Sequence, residues 1–438
     1  LCWDFFYYIY FMSIDQIYNY FLQCDSVSTD TRKITKNSMF FALKGENFNG
    51  NTFADKALKE GAKYCVIDEK EYATNNNCLL VSDVLKTLQQ LATYHRKQLN
   101  IPIIALTGSN GKTTTKELIN AVLSTQFKTV ATQGNLNNHI GVPLTLLKLT
   151  KDTEIGIIEM GANHHKEIEL LSNIALPDYG LITNFGKAHI EGFGSIEGVI
   201  TAKSELYDHL KKHNKLIFVN ENDLTQVKQT EEYNNLNKFG TASTSDSVIE
   251  LVSTQPFVTI RYKEKIIKSN LAGTYNFNNI AVAIAIGNYF KIDLNNIVSA
   301  IESYVPTNNR SQLIEKGSNT IIMDAYNANP TSMLAALENF KQLEENNKIL
   351  FLGDMFELGS TAEEEHQNIV NYLEKNGIGN TFLVGKNFYK TKVNITSILK
   401  FETFDDLKAE LQLNQIKNKF VLIKGSRGMA LERVLELL

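Results

Sequence analysis

The sequence predicts an α/β protein of three domains, and three observations carry that expectation. Apolar runs such as "IPIIALTG", "TEIGIIEMG", "DYGLITNFG" and "KLIFVN" are continuous rather than alternating, as in strands buried on both faces of a parallel sheet. One of them leads through a glycine turn into a helix-like stretch, "IIALTGSNGKTTTKELI", residues 103–119. After "VPTNNR" the pattern restarts with "NTIIMDAY", "NKILFLGDM", "NTFLVG" and "NKFVLIKGSRG", each followed by a helical stretch. That is a second, Rossmann-like doubly wound unit.

Residues 12–100 form the first expected domain, mixing the short apolar segments "SMFFAL", "AKYCVI" and "CLLVS" with helices and turns. A linker near Asn100-Ile101-Pro102 opens the central domain, 101–308, with a mostly parallel sheet. In it "NNIAVAIAIGNYF" reads as a buried helix, and the alternating stretch at 250–271 reads as an antiparallel patch. Residues 309–438 form the third domain. The 438 residues are 43% hydrophobic and 21% charged, enough for several cores. A net charge of −4 with no lysine-rich block argues against nucleic acid and an anionic membrane surface as partners. Cys2, Cys24, Cys65 and Cys78 have no CxxC spacing, so neither a zinc site nor a disulfide framework is expected, and the cytoplasm suits reduced thiols. The opening "LCWDFFYYIYFM" is too short to span a bilayer and lacks the basic region and cleavage site of a signal peptide. Met12 reads as the natural start and residues 1–11 as an extension, with an interfacial anchor as the alternative and no stable membrane insertion expected.

Gly108, Ser109, Asn110 and Gly111 allow backbone N–H groups to turn around an anion, and the helix that follows adds its positive end. Lys112 offers a cation for β/γ-phosphates; Thr113, followed by Thr114, offers a hydroxyl for Mg²⁺. A strict Walker loop would have glycine where Leu106 stands. Glu159 ends a buried run, where a carboxylate suits a second Mg²⁺ contact or merely caps a loop. His189 and Lys203, taken alone, read as an ordinary histidine and an exposed helical lysine paired with Glu205. Asn276 and Asn279, one turn apart, suit an adenine edge or a helix start. Ser28, Thr29, Asp30, Arg32 and Lys44 suit a uridine nucleotide or a plain hydrophilic loop. Lys424, Ser426 and Arg427 suit a carboxylate or a helix N-terminus.

"TGSNGKTT" resembles the loop of the Mur ligases and folylpolyglutamate synthetases, which activate a carboxylate with ATP to form an amide. "TQGNLNNHIGVPLTLL", "IIEMGAN", "NFGKAHIEGFGS", "AKSE", "GTYNFNNIAVAIA", "DAYNANPTSM", "LGDMFELG" and "KGSRGMALE" follow in the order of a Mur ligase, from Met12 to Leu438. "GNLNN" and "YNANPTSM" are the most specific. The resemblance implies an N-terminal uridine-nucleotide-binding domain, a central ATPase domain and a C-terminal ligase domain. It implies ATP and Mg²⁺, with Lys112, Glu159, His189 and Lys203 catalytic. Thr113, Glu159, His189 and Lys203 would hold metal, the lysine as a carbamate (N6-carboxylysine). Asn276 and Asn279 would meet adenine, Arg310 the γ-phosphate, and Asp324 the ribose or a cation. Asn137, Asn138, Asn327 and Asn329 would line the acyl-acceptor site, with Lys424, Ser426 and Arg427 on the dipeptide carboxylate. The implied partners are UDP-N-acetylmuramoyl-tripeptide (UDP-MurNAc-tripeptide) and D-Ala-D-Ala, with a cytoplasmic monomer expected. Alternatives are another ligase of the superfamily or a P-loop switch. Asn51 and Lys166 depart from the family pattern, which shows histidine and glycine there, and His366 receives no role.

Overall fold

The computed structural model describes residues 11–307, 309–345, 347–378 and 380–438. The segment read as an extension lies, apart from Phe11, outside the described residues. The chain forms two compact units: one holds the chain up to Ala105, Phe127–Met160 and Glu169–Asp178; the other holds Leu106–Gln126, Gly161–Ile168 and Tyr179–Leu438.

In the first unit, Ser26–Ser28, Ser38–Phe41, Ala62–Ile67 and Cys78–Leu80 form a parallel sheet in that order. All four residues of "SMFF" are buried, which is why the run is continuous rather than alternating. Phe40, Ala42, Ala54, Ala57, Cys65 and Ile67 fill the core beside it. The helix Val84–Leu99 starts on Asp83, whose carboxylate accepts from Lys86 N, and stops at Asn100 in the left-handed conformation (φ 51°). The helix ends there, two residues before Pro102, and the first unit continues through Ala105. The helix buries Val84, Leu88, Leu91, Ala92 and His95, the spacing of one helical face. Thr129–Ala131 and Ile155–Glu159 pair in parallel in the same unit.

The strand Ile103–Thr107 is buried at every position. At its start Pro102 O accepts from Gly156 N and Ile103 O from Asp178 N; at its end, in the second unit, Thr107 O accepts from Thr183 N.

In the second unit, Tyr179–Ile182, Leu216–Asn220, Leu236–Gly240 and Ser247–Ser253 run parallel. Thr259–Tyr262 and Lys265–Lys268 then add antiparallel, as the alternating stretch predicts. The helix Asn276–Tyr289 is buried along its first three turns except at Asn278. It approaches the helix Lys112–Leu123 closely: a Cβ on Gly287 would lie 2.7 Å from Val122 Cγ1. The Rossmann-like sheet orders Gln312–Lys316, Asn319–Asp324, Phe420–Lys424, Lys348–Gly353, Thr381–Val384 and Ile398–Phe401, with apolar clusters on both faces. Only the first of these strands is antiparallel. It and Ile398–Phe401 were not among the four strands legible in the sequence. Cys24, Cys65 and Cys78 are free thiols. Among the described residues no helix is long and apolar enough to cross a membrane.

Three buried histidines are kept neutral. His95 places Nε2 2.8 Å from Leu149 O, and burial lowers its pKa. Burial, then His213 and Lys212, push His209 down to about 4. Burial also lowers His366, against the opposing pull of the Ala362 carbonyl and Asp354. The unfolded chain takes up these protons below about pH 6.5 while the fold does not. Stability is therefore full above that pH and falls as pH drops through it. Urea midpoints are expected to fall between about pH 7.5 and about pH 5.5, with part of the slope absent in His95→Gln; an equal slope in that variant contradicts the assignment of His95.

Candidate active site

The site starts where the strand Ile103–Thr107 stops. Gly108 (φ 141°) and Gly111 (φ 78°) lie in the region that favours glycine. A Cβ on Gly108 would sit 2.0 Å from Thr183 Oγ1, and one on Gly111 2.6 Å from Asn279 Oδ1. The intervening loop is bound on all sides. Ser109 Oγ donates to Gly186 O at 2.9 Å and accepts from Gly186 N at 2.9 Å. Asn110 N donates to Asn184 Oδ1 at 3.0 Å, and Asn110 O accepts from Thr183 Oγ1 at 2.6 Å and Asn184 Nδ2 at 3.0 Å. The helix Lys112–Leu123 opens directly after Gly111, so its first N–H groups face the loop. Lys112 arches back, its Nζ 2.7 Å from Gly108 O. Thr113 and Thr114 are buried beneath.

Asn276 and Asn279 form a buried relay under this loop. Thr115 Oγ1 donates to Asn279 Oδ1 (3.0 Å), Asn279 Nδ2 to Asn276 Oδ1 (2.8 Å), and Asn276 Nδ2 to Ala272 O (2.7 Å). In this arrangement the two amides buttress Gly111.

Lys203 is not the exposed lysine of the bland alternative. It is fully buried in the helix Ile196–Lys212. Its Nζ donates to Ala162 O at 3.0 Å and lies 4.9 Å from the Phe193 ring centroid. Glu205 instead accepts from Lys166 N at 2.7 Å. Burial, helped by the charge of Lys112, brings the Lys203 amine down to about 7. His189 takes a left-handed backbone (φ 53°) before the short helix Ile190–Phe193, and its Nδ1 lies 2.5 Å from Glu357 Oε2. That contact holds the Glu357 carboxyl below its ordinary range.

Several residues from the Rossmann-like sheet gather in the same unit. Lys424 Nζ pairs with Asp324 Oδ2 at 2.5 Å, and Asp324 Oδ1 accepts from Ser311 N at 3.3 Å. Ser426 Oγ accepts from Phe356 N (2.9 Å) and donates to Ala328 O (3.3 Å). The guanidinium carbons of Arg310 and Arg427 lie 3.6 and 4.8 Å from the centroid of one ring, Tyr326. Asn327 Oδ1 accepts from Ala328 N at 2.9 Å. Asn329 caps the helix Pro330–Gln342 through Ser332 N (2.9 Å) and donates Nδ2 to Asn110 Oδ1 at 2.8 Å. The "YNANP" loop thus touches the glycine loop itself. Thr183, Asn184 and Gly186, which brace that loop, were missed in the sequence; the strand-ending "ITNFG" was the available signal.

The first unit holds the remaining candidates. Glu159 is 2% exposed at its strand tip, and its Oε1 accepts from Asn137 Nδ2 at 2.8 Å. Asn138 Oδ1 accepts from Gly141 N at 2.9 Å, capping the helix Gly141–Leu146. Ser28 Oγ donates to Asp30 O at 2.9 Å, with Thr29 between them in the chain. Asp30 is held down at about 2 by hydrogen bonds from Arg32, whose Nε and Nη2 reach its two oxygens at 2.9 and 2.8 Å. Lys44 lies 2.8 Å from both Asp68 and Glu69. Asn51 is buried and spans Asn49 and Asp68, so its amide holds the turn together from within.

Among the described residues no three His, Cys, Asp or Glu side chains form a ready-made metal cage. Mg²⁺ needs none: it keeps waters and substrate phosphates and takes only one or two protein ligands. The Thr113 hydroxyl, the Glu159 carboxylate and the His189 imidazole are donors of that sparse kind.

Comparison with known proteins bears on the whole chain. The profiles of the Mur ligase family catalytic domain, the Mur ligase middle domain and the glutamate ligase domain match residues 23–104, 106–287 and 309–427. A UDP-N-acetylmuramoyl-tripeptide–D-alanyl-D-alanine ligase of Bacillus subtilis is 37% identical over 431 residues, covering 94% of this chain and 92% of that protein. The chain belongs to the Mur ligase family. The Escherichia coli ligase of the same description is 32% identical over 428 residues, covering 94% and 93%. The structure of MurF from Acinetobacter baumannii superposes with a TM-score of 0.84 at 29% identity, covering 97% of each chain. MurF from Thermotoga maritima in complex with ADP gives 0.83 at 26% identity, covering 95% and 97%. This Mur ligase shares their three-domain α/β architecture and, like the family, is an ATP-dependent ligase.

Because the glycine loop has no room for a side chain, Gly111→Ala is expected to weaken binding of a nonhydrolysable ATP analogue at least about tenfold by calorimetry and to lower the melting temperature. Gly377→Ala, at a comparable φ of 61° but in open space, is expected to leave nucleotide affinity unchanged. Equal affinity in both variants contradicts the role given to the loop.

Proposed function

We propose that this Mur ligase joins D-alanyl-D-alanine to UDP-MurNAc-tripeptide, forming the pentapeptide precursor of peptidoglycan. The supporting observation is the full-length similarity to ligases of that description, together with an intact phosphate loop. The terminal carboxylate of the tripeptide attacks the γ-phosphorus of ATP, ADP leaves, and an acyl phosphate forms. The dipeptide amine then attacks the acyl carbon and inorganic phosphate leaves.

Two anions must meet in the first step. Lys112 and Arg310 supply positive charge against that repulsion, and the backbone N–H groups after Gly111 hold the phosphates in line. Bound Mg²⁺ ions would neutralise phosphate charge, with Thr113, Glu159 and His189 as the candidate ligands shared among them. Asn137 aims Glu159. The Tyr326 ring orders Arg310 and Arg427, the second of which is assigned to the dipeptide carboxylate. In the second step the amine, with an ordinary pKa of about 7.7–8.0, reacts as its neutral fraction. The loop of Ser28, Thr29, Asp30 and Arg32, with Lys44 nearby in sequence, is assigned to the uridine diphosphate. UDP-MurNAc-tripeptide and D-Ala-D-Ala are both water-soluble, and we assign the reaction to the cytoplasm and the active form to the monomer.

Lys203 is assigned as N6-carboxylysine. An amine lowered to about 7 is substantially neutral at physiological pH. Its lone pair attacks CO₂, an N–C bond forms and one N–H proton leaves to solvent. The buried cation becomes an anion on a long stem, suited to a metal-bearing site.

In a coupled ADP-release assay with UDP-MurNAc-tripeptide, D-Ala-D-Ala is expected to give turnover and L-lysine none. Lys112→Ala is expected to lower kcat by about 100-fold or more. Turnover with lysine, or ATP hydrolysis that needs no carboxylate, overturns the assignment. Lys203→Ala is expected to lose activity by about 100-fold and regain part of it with formate or acetate; undiminished activity ends the carbamate proposal.

A further inference from the structure

The turn "GDMFELG", residues 353–359, follows the strand Lys348–Gly353 and is pinned almost residue by residue. Asp354 O accepts from Ser426 N at 3.1 Å, and its carboxylate accepts from Asn387 N and Phe388 N at 2.9 Å each. Met355 N donates to His366 Nε2 at 2.9 Å, and Phe356 N to Ser426 Oγ at 2.9 Å. The next residue, Glu357, has φ 62°, a left-handed conformation that costs a non-glycine residue energy and persists only where its surroundings impose it. Its carbonyl accepts from Glu191 N at 3.3 Å, and its carboxylate meets His189 Nδ1 at 2.5 Å. His189 itself is left-handed. Its Nδ1 is shut off from solvent, and the Glu357 carboxylate approaches it as a close charge contact rather than an aligned hydrogen bond.

We infer that Glu357 is a positioning residue, brought by the C-terminal domain, that orients the His189 imidazole for metal. The inference rests on the reading that His189 is a metal ligand. A carboxylate beside Nδ1 favours the tautomer that carries its proton there and so leaves the Nε2 lone pair for a cation. Asp354, His366 and Ser426 act through the turn: they hold the backbone that carries Glu357. The metal-binding histidine of the central domain is thus completed by a side chain from its neighbour. Other contacts between the same domains, such as Lys187 with Glu365 at 2.7 Å, hold the domains together without touching His189.

That difference supplies the test. Mn²⁺ binding is measured by electron paramagnetic resonance on the full chain with a nonhydrolysable ATP analogue, for wild type, Glu357→Gln, Glu365→Gln and His189→Ala. Thermal melts verify that each variant folds. Glu357→Gln is expected to weaken Mn²⁺ binding by about tenfold or more, with Glu365→Gln like wild type. In turnover, the Mg²⁺ concentration for half-maximal rate should rise for Glu357→Gln alone. If His189→Ala weakens Mn²⁺ binding and Glu357→Gln does not, the inference is overturned while the metal role of His189 stands. If both glutamine variants weaken it equally, Glu357 is only a docking strut and the inference is overturned. If His189→Ala has no effect, the underlying assignment of His189 falls, and the inference with it.

Discussion

The constraint on which most of this structure depends is the absence of side chains at Gly108 and Gly111. Backbone can wrap an anion only if its N–H groups converge, and convergence brings the chain against whatever lies behind it. Here Thr183 stands behind one glycine and Asn279 behind the other. The loop is consequently held by a strand end, "ITNFG", and by a helix start, "YNFNN", far apart in sequence. Those supports leave no freedom to reorganise when charge shifts on the phosphates, and preorganised donors of this kind give the largest electrostatic return.

Much of the architecture was legible because burial on two faces leaves an uninterrupted apolar run, and "IIALT", "IGIIE", "LIFVN" and "ILFLG" all became strands. The antiparallel strand Gln312–Lys316 was missed because it is an edge strand with no fully buried residue; one-sided contact leaves a mixed sequence that resembles a loop. In the site, glycines and charged residues announced themselves, but hydrogen-bond partners did not. "TAKSE" by itself does not tell that Lys203 is buried; the signal was the helical spacing that sets Val199, Leu206 and Tyr207 one turn away on the same face. Asn276 and Asn279 were visible as a pair, but not their relay to Thr115, which depends on two helices meeting. The pairing of Lys424 with Asp324, 100 residues away, is likewise a product of strand order. The last strand of the chain enters the middle of the sheet, beside Asn319–Asp324.

Loops at the carboxyl ends of the Rossmann-like sheet are tied down before they reach outward: Asn327 to Ala328 and Asn329 to Ser332 within one of them, and Ser426 across to Phe356 and Ala328 on two others. Rigid loops of this kind lose little entropy when a ligand arrives. Tyr326 extends the same economy to two long side chains, since an arginine stacked on a ring has already given up much of its rotamer freedom.

The amide-to-amide contact between Asn329 and Asn110 has a bearing on turnover. Both partners are neutral, and such a bond is worth about 1 kcal/mol net; the nearby Lys187–Glu365 pair, half exposed on the lysine side, adds about as little. Fastenings this light cost little to break: were the two loops to part during turnover, neither bond would add more than about 1 kcal/mol to the work.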